Sequence, residues 1–153
     1  MYLTLLFVHS WLRWAVILLG LVAILRAIHG SSTRRAWLSA DDRVWMLFII
    51  VLDIQLLLGL VMYFALSPIT KAALADFGGA MSNSALRYWA VEHVFGMVVG
   101  VFLAHRGRAR VRAIPDAGRK HKVAAVFLIL AMLAILASIP WPGMPNGRPL
   151  VRW

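Results

Sequence analysis

The stretch VWMLFIIVLDIQLLLGLVMYFAL, residues 44–66, decides the fold. It carries one charged side chain, Asp53, in an otherwise apolar run with no alternation at period two. At about 1.5 Å per helical residue, a run of this length crosses a hydrocarbon layer roughly 30 Å thick. Three further blocks read the same way: Tyr2–Leu25, Ala85–Ala104 and Val123–Ile139. The last is short, and Lys120 and Lys122 extend its start to about residue 120 by snorkelling. Without period-two alternation a β-barrel does not compete. The chain therefore reads as an all-α integral membrane four-helix bundle. It forms one transmembrane domain over 1–153, with helices at about 2–25, 44–66, 85–104 and 120–139, a loop over 67–84 and a proline-rich tail over 140–153.

Composition agrees. Of 153 residues, 62% are hydrophobic and 14% charged, whereas soluble domains hold about 45–50% and about 25%. That mixture excludes a disordered chain, a nucleic-acid-binding domain and almost any soluble enzyme. The net charge of +10 resembles a nucleic-acid signature until the basic residues are located between the apolar blocks. Cysteine is absent, which excludes disulfides, thiolate metal sites, iron–sulfur clusters and covalently attached haem. The first block lacks a basic leader and is interrupted by Arg13, so it reads as a retained helix rather than a cleavable signal.

The charges predict orientation. Arg26, Arg34, Arg35 and Arg43 lie in the first loop, and Arg106, Arg108, Arg110, Arg112, Arg119, Lys120 and Lys122 in the third. Lys71, Arg87, Arg148 and Arg152 lie on the other side. The positive-inside rule puts the basic loops in the cytoplasm and both termini outside, which suits a bacterial inner membrane. Local signals mark the boundaries. Ser39 with Asp42 predicts a capping-box start for the second helix, Ser67-Pro68 its end, and Ser82 or Ser84 the cap of the third. The run from Ile69 to Phe77 predicts a short surface helix stopped by Gly78-Gly79. Seven tryptophans, Trp11, Trp14, Trp37, Trp45, Trp89, Trp141 and Trp153, read mostly as an interfacial belt.

Ionisable groups inside hydrocarbon cost at least ~2.5–3.5 kcal/mol near the centre, so each is a functional candidate. His9 lies about seven residues from the outer end of the first helix and His93 about eight from that of the third. Both helices run inward, so the two imidazoles share a depth, as axial ligation of one metalloporphyrin requires. Haem ligation is favoured here over a structural hydrogen-bonded pair. Gly96 and Gly100 follow His93 on the same face and would let a flat macrocycle, or another helix, approach closely. Met97 reads as packing. Arg13 pairs most simply with Asp53; its rival role is to bind a haem propionate or a quinone head group. Glu92 is either a partner for Arg13 or Arg87 or a proton-handling group beside a redox site. Arg148, with Arg152, is placed to pair with propionates or to anchor at the interface. His29, His105 and His121 read as interfacial residues among arginines, with a second metal site at His121 as the alternative.

Several of these segments together resemble a group of small bacterial four-helix membrane proteins commonly labelled cytochrome b subunit. They are His9-Ser-x-Leu-Arg-Trp14, Gln55-x-x-x-Gly59-Leu60-x-x-Tyr63, Glu92-His93-x-x-Gly96-Met97, Lys120-His-Lys122, and Ile139-Pro-Trp-Pro142 with Gly147-Arg-Pro149. The resemblance covers essentially the whole chain and implies haem b and membrane electron transfer. Asp53 departs from it, standing where the family pattern often carries a His, so a second haem served by that His would be missing here. The resulting expectation is an electron-transfer protein rather than a stand-alone enzyme, with one haem b between His9 and His93. A quinone is the further ligand, and the partners are the lipid bilayer, other membrane subunits or a second copy. Two rivals remain: an accessory subunit of a larger respiratory or photosynthetic complex, and a small proton or ion carrier using Arg13, Asp53 and Glu92. The carrier is disfavoured because no helix is broken mid-membrane by Gly or Pro.

Overall fold

The structure, a computed structural model, describes residues 1–151. Their regular structure is helical: α1 (Tyr2–Ser32), α2 (Ser39–Val61), α3 (Pro68–Ala75), α4 (Phe77–Ser82), α5 (Ser84–Arg87), α6 (His93–Arg112) and α7 (Ala117–Ala137). Two π-helical turns, Met62–Leu66 and Tyr88–Glu92, prolong α2 and join α5 to α6. Among the described residues, four rods are long and apolar enough to cross a membrane: Tyr2–Ser32, Ser39–Leu66, Ser84–Arg112 and Ala117–Ala137. The chain is thereby marked as a multi-pass membrane protein.

The rods outrun the apolar blocks because hydropathy marks the hydrocarbon crossing, whereas a helix ends where its backbone is capped. α1 continues past Leu25 to Ser32, where the Thr33 backbone and hydroxyl donate to His29 O. α6 continues through its arginines to Arg112. α7 starts at Ala117, earlier than expected, because the Asp116 carboxylate accepts the Arg119 N–H at 2.7 Å.

Three local expectations are corrected. The Ser39/Asp42 start is displaced by one residue. Leu38 holds the cap position, and the Asp41 carboxylate accepts its N–H at 2.9 Å. Asn83, not Ser82 or Ser84, caps α5, its Oδ1 accepting from Ala85 and Leu86. Gly78-Gly79 lies inside α4 instead of stopping α3; the break falls at Asp76, whose carboxylate accepts Gly79 N–H. In each case a carboxylate or carboxamide oxygen supplies the acceptor at the helix start. Ser67 does end the second rod, and its hydroxyl accepts from Thr70 to start α3.

α1 packs on α2 and α7, and α6 packs closely on α7 and more lightly on α2. α1 and α6 therefore occupy opposite corners. The core contains Val16, Trp45, Phe48, Leu52, Leu128, Met132 and Ile135. Trp45 is 1% exposed, so it belongs to this core and not to an interfacial belt. Glycines set the close approaches: Gly20 receives Met132 and Phe48, and Gly107 receives Phe127 and Trp45. Outward-facing Leu18, Leu57, Phe95, Phe102 and Leu133 present an apolar surface suited to lipid.

One end of the bundle is stitched by charge. Asp41, 6% exposed, pairs with Arg26 at 2.8 Å and Arg35 at 2.7 Å, and Asp42 pairs with Arg108 at 2.7 Å. The hydrogen bonds Arg35 donates to Asp41 hold its guanidinium above the ordinary arginine pKa. The opposite end carries α3, α4, α5 and the tail.

Gly96→Ala tests the α6–α7 contact. An added methyl would meet the Ser138 side chain, so overpacking is expected to lower stability by about 1–3 kcal/mol. Gly78→Ala, whose methyl lies 4.0 Å from Asp76 Oδ1, is expected to be neutral or mildly stabilising. Unfolding midpoints of the two variants in one detergent distinguish these outcomes.

Candidate functional site

At the tail end the four rods diverge around a cavity of about 360 Å³. His9, Arg13, Gln55, His93 and Arg148 line it, with apolar walls from Leu6, Val16, Leu52, Met97 and Ile135. A mostly apolar pocket with a few convergent polar groups, within the ~300–1,000 Å³ typical of ligand sites, is the form of a small-molecule or cofactor site.

Each histidine is placed by a neighbouring helix. His93 Nδ1 lies 2.7 Å from Ser138 O at the end of α7. A carbonyl only accepts, so Nδ1 carries the proton and Nε2 keeps the lone pair. The Tyr88 hydroxyl donates to the same carbonyl at 2.8 Å. Trp89 flanks the imidazole, with ring centroids 5.6 Å apart. His9 projects from the opposite corner. Its ring edge rests against Gly59, where an added Cβ would lie 3.2 Å from Cε1. Gln55 Nε2 donates to His9 O at 3.0 Å, tying α2 to α1 at this level. His9 Nδ1 and Gln55 Oε1 are buried without a hydrogen-bond partner.

The two π turns frame the mouth. π turns occur mostly as local features of functional sites, and here they are joined to each other. The Tyr63 hydroxyl donates to Ala90 O at 2.7 Å, and Thr70 donates to Tyr63 O at 2.6 Å. The tail folds over the same region. Leu150 O accepts from Arg13 Nη2 at 2.6 Å and from Trp14 Nε1 at 3.0 Å. Arg148 N–H donates to Pro140 O, and the Arg148 guanidinium lies 5.0 Å from the Trp89 ring centre.

His9, His93, Arg13 and Arg148, expected to share a site, do line one cavity. Gly96 and Gly100 do not. Their missing side chains make room for Ser138 and Ile135 of the fourth rod, so they serve helix packing and not approach to a ligand. The expected Arg13–Asp53 pair is also absent. Arg13 turns to the tail, and Asp53 meets His105 Nε2 at 2.9 Å. Glu92 pairs with Arg87 at 2.7 Å, one of its two expected partners.

His121 is fully buried rather than interfacial. Its ring lies on Gly30 and 4.9 Å from Trp37, with no hydrogen-bond partner at either nitrogen. His29 is exposed and His105 is engaged by Asp53, so neither histidine is paired with His121 for a second metal site. No group of three or more His, Cys, Asp or Glu gathers among the described residues. The roles expected of Arg152 and Trp153 fall outside the described residues.

The sequence reading missed the carbonyl of Ser138, the tyrosines of the π turns and the buried Asp41. A backbone acceptor leaves no mark in residue identity, whereas Asp41 beside Asp42 at a helix start was a legible signal assigned one residue too late. Comparisons with family models, curated proteins and solved structures gave no match to this chain.

The tail contact yields a prediction. Arg13→Gln removes a charged hydrogen bond to Leu150 O, an interaction worth about 1.5–3 kcal/mol. The Arg148 amide, protected by Pro140 O, should then exchange roughly tenfold faster or more in hydrogen-exchange mass spectrometry. Exchange in the middle of α7 should be unchanged.

Proposed function

We propose that this chain is a b-type cytochrome that holds one haem between His9 and His93. One observation carries the reading: two imidazoles from opposite corners of the bundle line a single apolar cavity. The residues present fit the group. His93 is oriented by a carbonyl behind it, the second-shell arrangement that sets the tautomer of metal-binding histidines. His9 and Gln55 leave buried polar atoms unpartnered at the cavity. Bound there, the haem supplies a one-electron couple whose potential depends on its axial ligands and surroundings.

The protein's own groups do the rest. Ser138 O fixes the His93 ring and raises its basicity as a donor. Arg13 and Arg148 bring positive charge to the cavity, which suits the propionates. Leu6, Val16, Leu52 and Ile135 keep water away. The tail and the short helices α3–α5 form the cover through which an electron would leave for an acceptor. The excess of basic residues at the other end places that end in the cytoplasm and this site near the outer leaflet of a bacterial inner membrane. A quinol or a partner subunit within the membrane is the donor in this reading.

The test is a reduced-minus-oxidised visible spectrum of the detergent-purified protein, with haem and protein quantified together. The expected result is a b-type signal at about one haem per chain, lost in both His9→Ala and His93→Ala. Wild-type protein free of haem, from membranes in which its partners are retained, would overturn the proposal and leave the accessory-subunit reading.

A further inference from the structure

His105 and Asp53 form a pair that belongs to no site described above. His105 Nε2 lies 2.9 and 3.1 Å from the two Asp53 carboxylate oxygens, joining α6 to α2. The pair is turned away from the cavity, whose walls include neither residue. The side chains are 51% and 39% exposed, on the outside of the bundle. Asp53 lies roughly 16 Å along α2 from Asp42, which marks the charged end of the rod by its pairing with Arg108. Around the pair the surface is apolar: Ile50 and Leu57 on α2, and Val98 and Phe102 on α6, are all exposed.

An ionisable pair within hydrocarbon normally faces a bundle interior, a water-filled cavity or a partner. Here the first two are absent, and acyl chains offer no hydrogen bonds. The hydrogen-bonding capacity of the pair is also incomplete. The carboxylate receives one imidazole donor, and His105 Nδ1 remains unused. We propose that the α2–α6 face is an interface with a second copy of this chain, related by a twofold axis near the His105–Asp53 pair.

Charge complementarity selects the copy. The face carries a cationic or donating group and an anionic acceptor side by side, so it complements itself when rotated by a half turn. In such an interface residue i meets j while j meets i. Each imidazole then faces the other copy's carboxylate, and the flanking Phe102, Val98, Ile50 and Leu57 exchange lipid for protein. An unlike chain would need its own matched pair at the same depth. The loose packing of α2 on α6, against the close packing of α6 on α7, leaves this seam as the shallow one that a second bundle can enter. The proposal is independent of the haem reading.

The chain has no cysteine, which makes cross-linking clean. Phe102→Cys is placed on the proposed face, and Leu133→Cys on α7 serves as the control; the two residues are 62% and 58% exposed. Mild oxidation of native membranes should convert Phe102→Cys, and not Leu133→Cys, into a covalent dimer of the chain. Adding Asp53→Asn and His105→Gln to Phe102→Cys should cut the yield between three- and roughly tenfold, as expected for polar contacts between membrane helices. Equal yields at the two positions would overturn the proposal. So would a Phe102→Cys yield indifferent to loss of the pair, or cross-links from Phe102→Cys to a different protein alone. The first comparison stands even if the variant lacking the pair fails to fold.

Discussion

In hydrocarbon a polar side chain has no solvent to fall back on, and that constraint organises this bundle from one end to the other. Helical backbones satisfy themselves, so the burden falls on the few side chains that carry charge or hydrogen-bonding groups. At the basic end it is met by pairing: Asp41 with Arg26 and Arg35, and Asp42 with Arg108. These bonds also fix how α1, α2 and α6 meet, because each joins two segments distant along the chain. Removing one partner would leave a charge without compensation in a poorly solvated place, which is more damaging than the net worth of the pair.

The tail end follows a different logic. There the helices are held apart, and polar groups converge on a cavity instead of on one another. His93 is bound on one side only, by Ser138 O, and His9 has no partner at Nδ1. Two π turns and a folded tail maintain this open arrangement through backbone acceptors: Ala90 O, Tyr63 O, Ser138 O and Leu150 O. Acceptors of this kind cannot be titrated away or rotated out of place, so the walls stay fixed while the cavity groups keep their free atoms. This contrast between paired charge at one end and unpaired donors at the other is what makes the tail end the site.

The fold was largely legible because it depends on long apolar blocks, and a block such as 44–66 has one stable outcome in a membrane. The pairing of His9 with His93 was legible for a related reason: depth along a spanning helix can be counted from the sequence. What could not be counted was azimuth. Gly96 and Gly100 sit at the right depth for a cofactor yet point at α7, and Asp53 shares a depth with Arg13 yet faces away from it. Spacing along one helix gives relative angles on that helix, and nothing in it states how neighbouring helices are rotated. The same ignorance turned Trp45 and His121 into interfacial residues on paper, although both are fully buried.

His121 shows how far that rotational freedom matters. Its ring occupies the space that the missing side chain of Gly30 provides, beside Trp37. Lys120 and Lys122 flank it in sequence, and a histidine between two lysines reads as a solvated residue. Yet successive residues on a helix are about 100° apart, so one of three can face the core while its neighbours do not. Burial without hydrogen bonds favours the neutral imidazole, because the charged form would lose hydration with nothing in return. An aromatic ring of this size then behaves as packing material, locking α7 to α1 at the end opposite the cavity. The two ends of the bundle thus use the same residue type in opposite ways: as a filler where glycine and tryptophan enclose it, and as a candidate ligand where a carbonyl steers it toward open space.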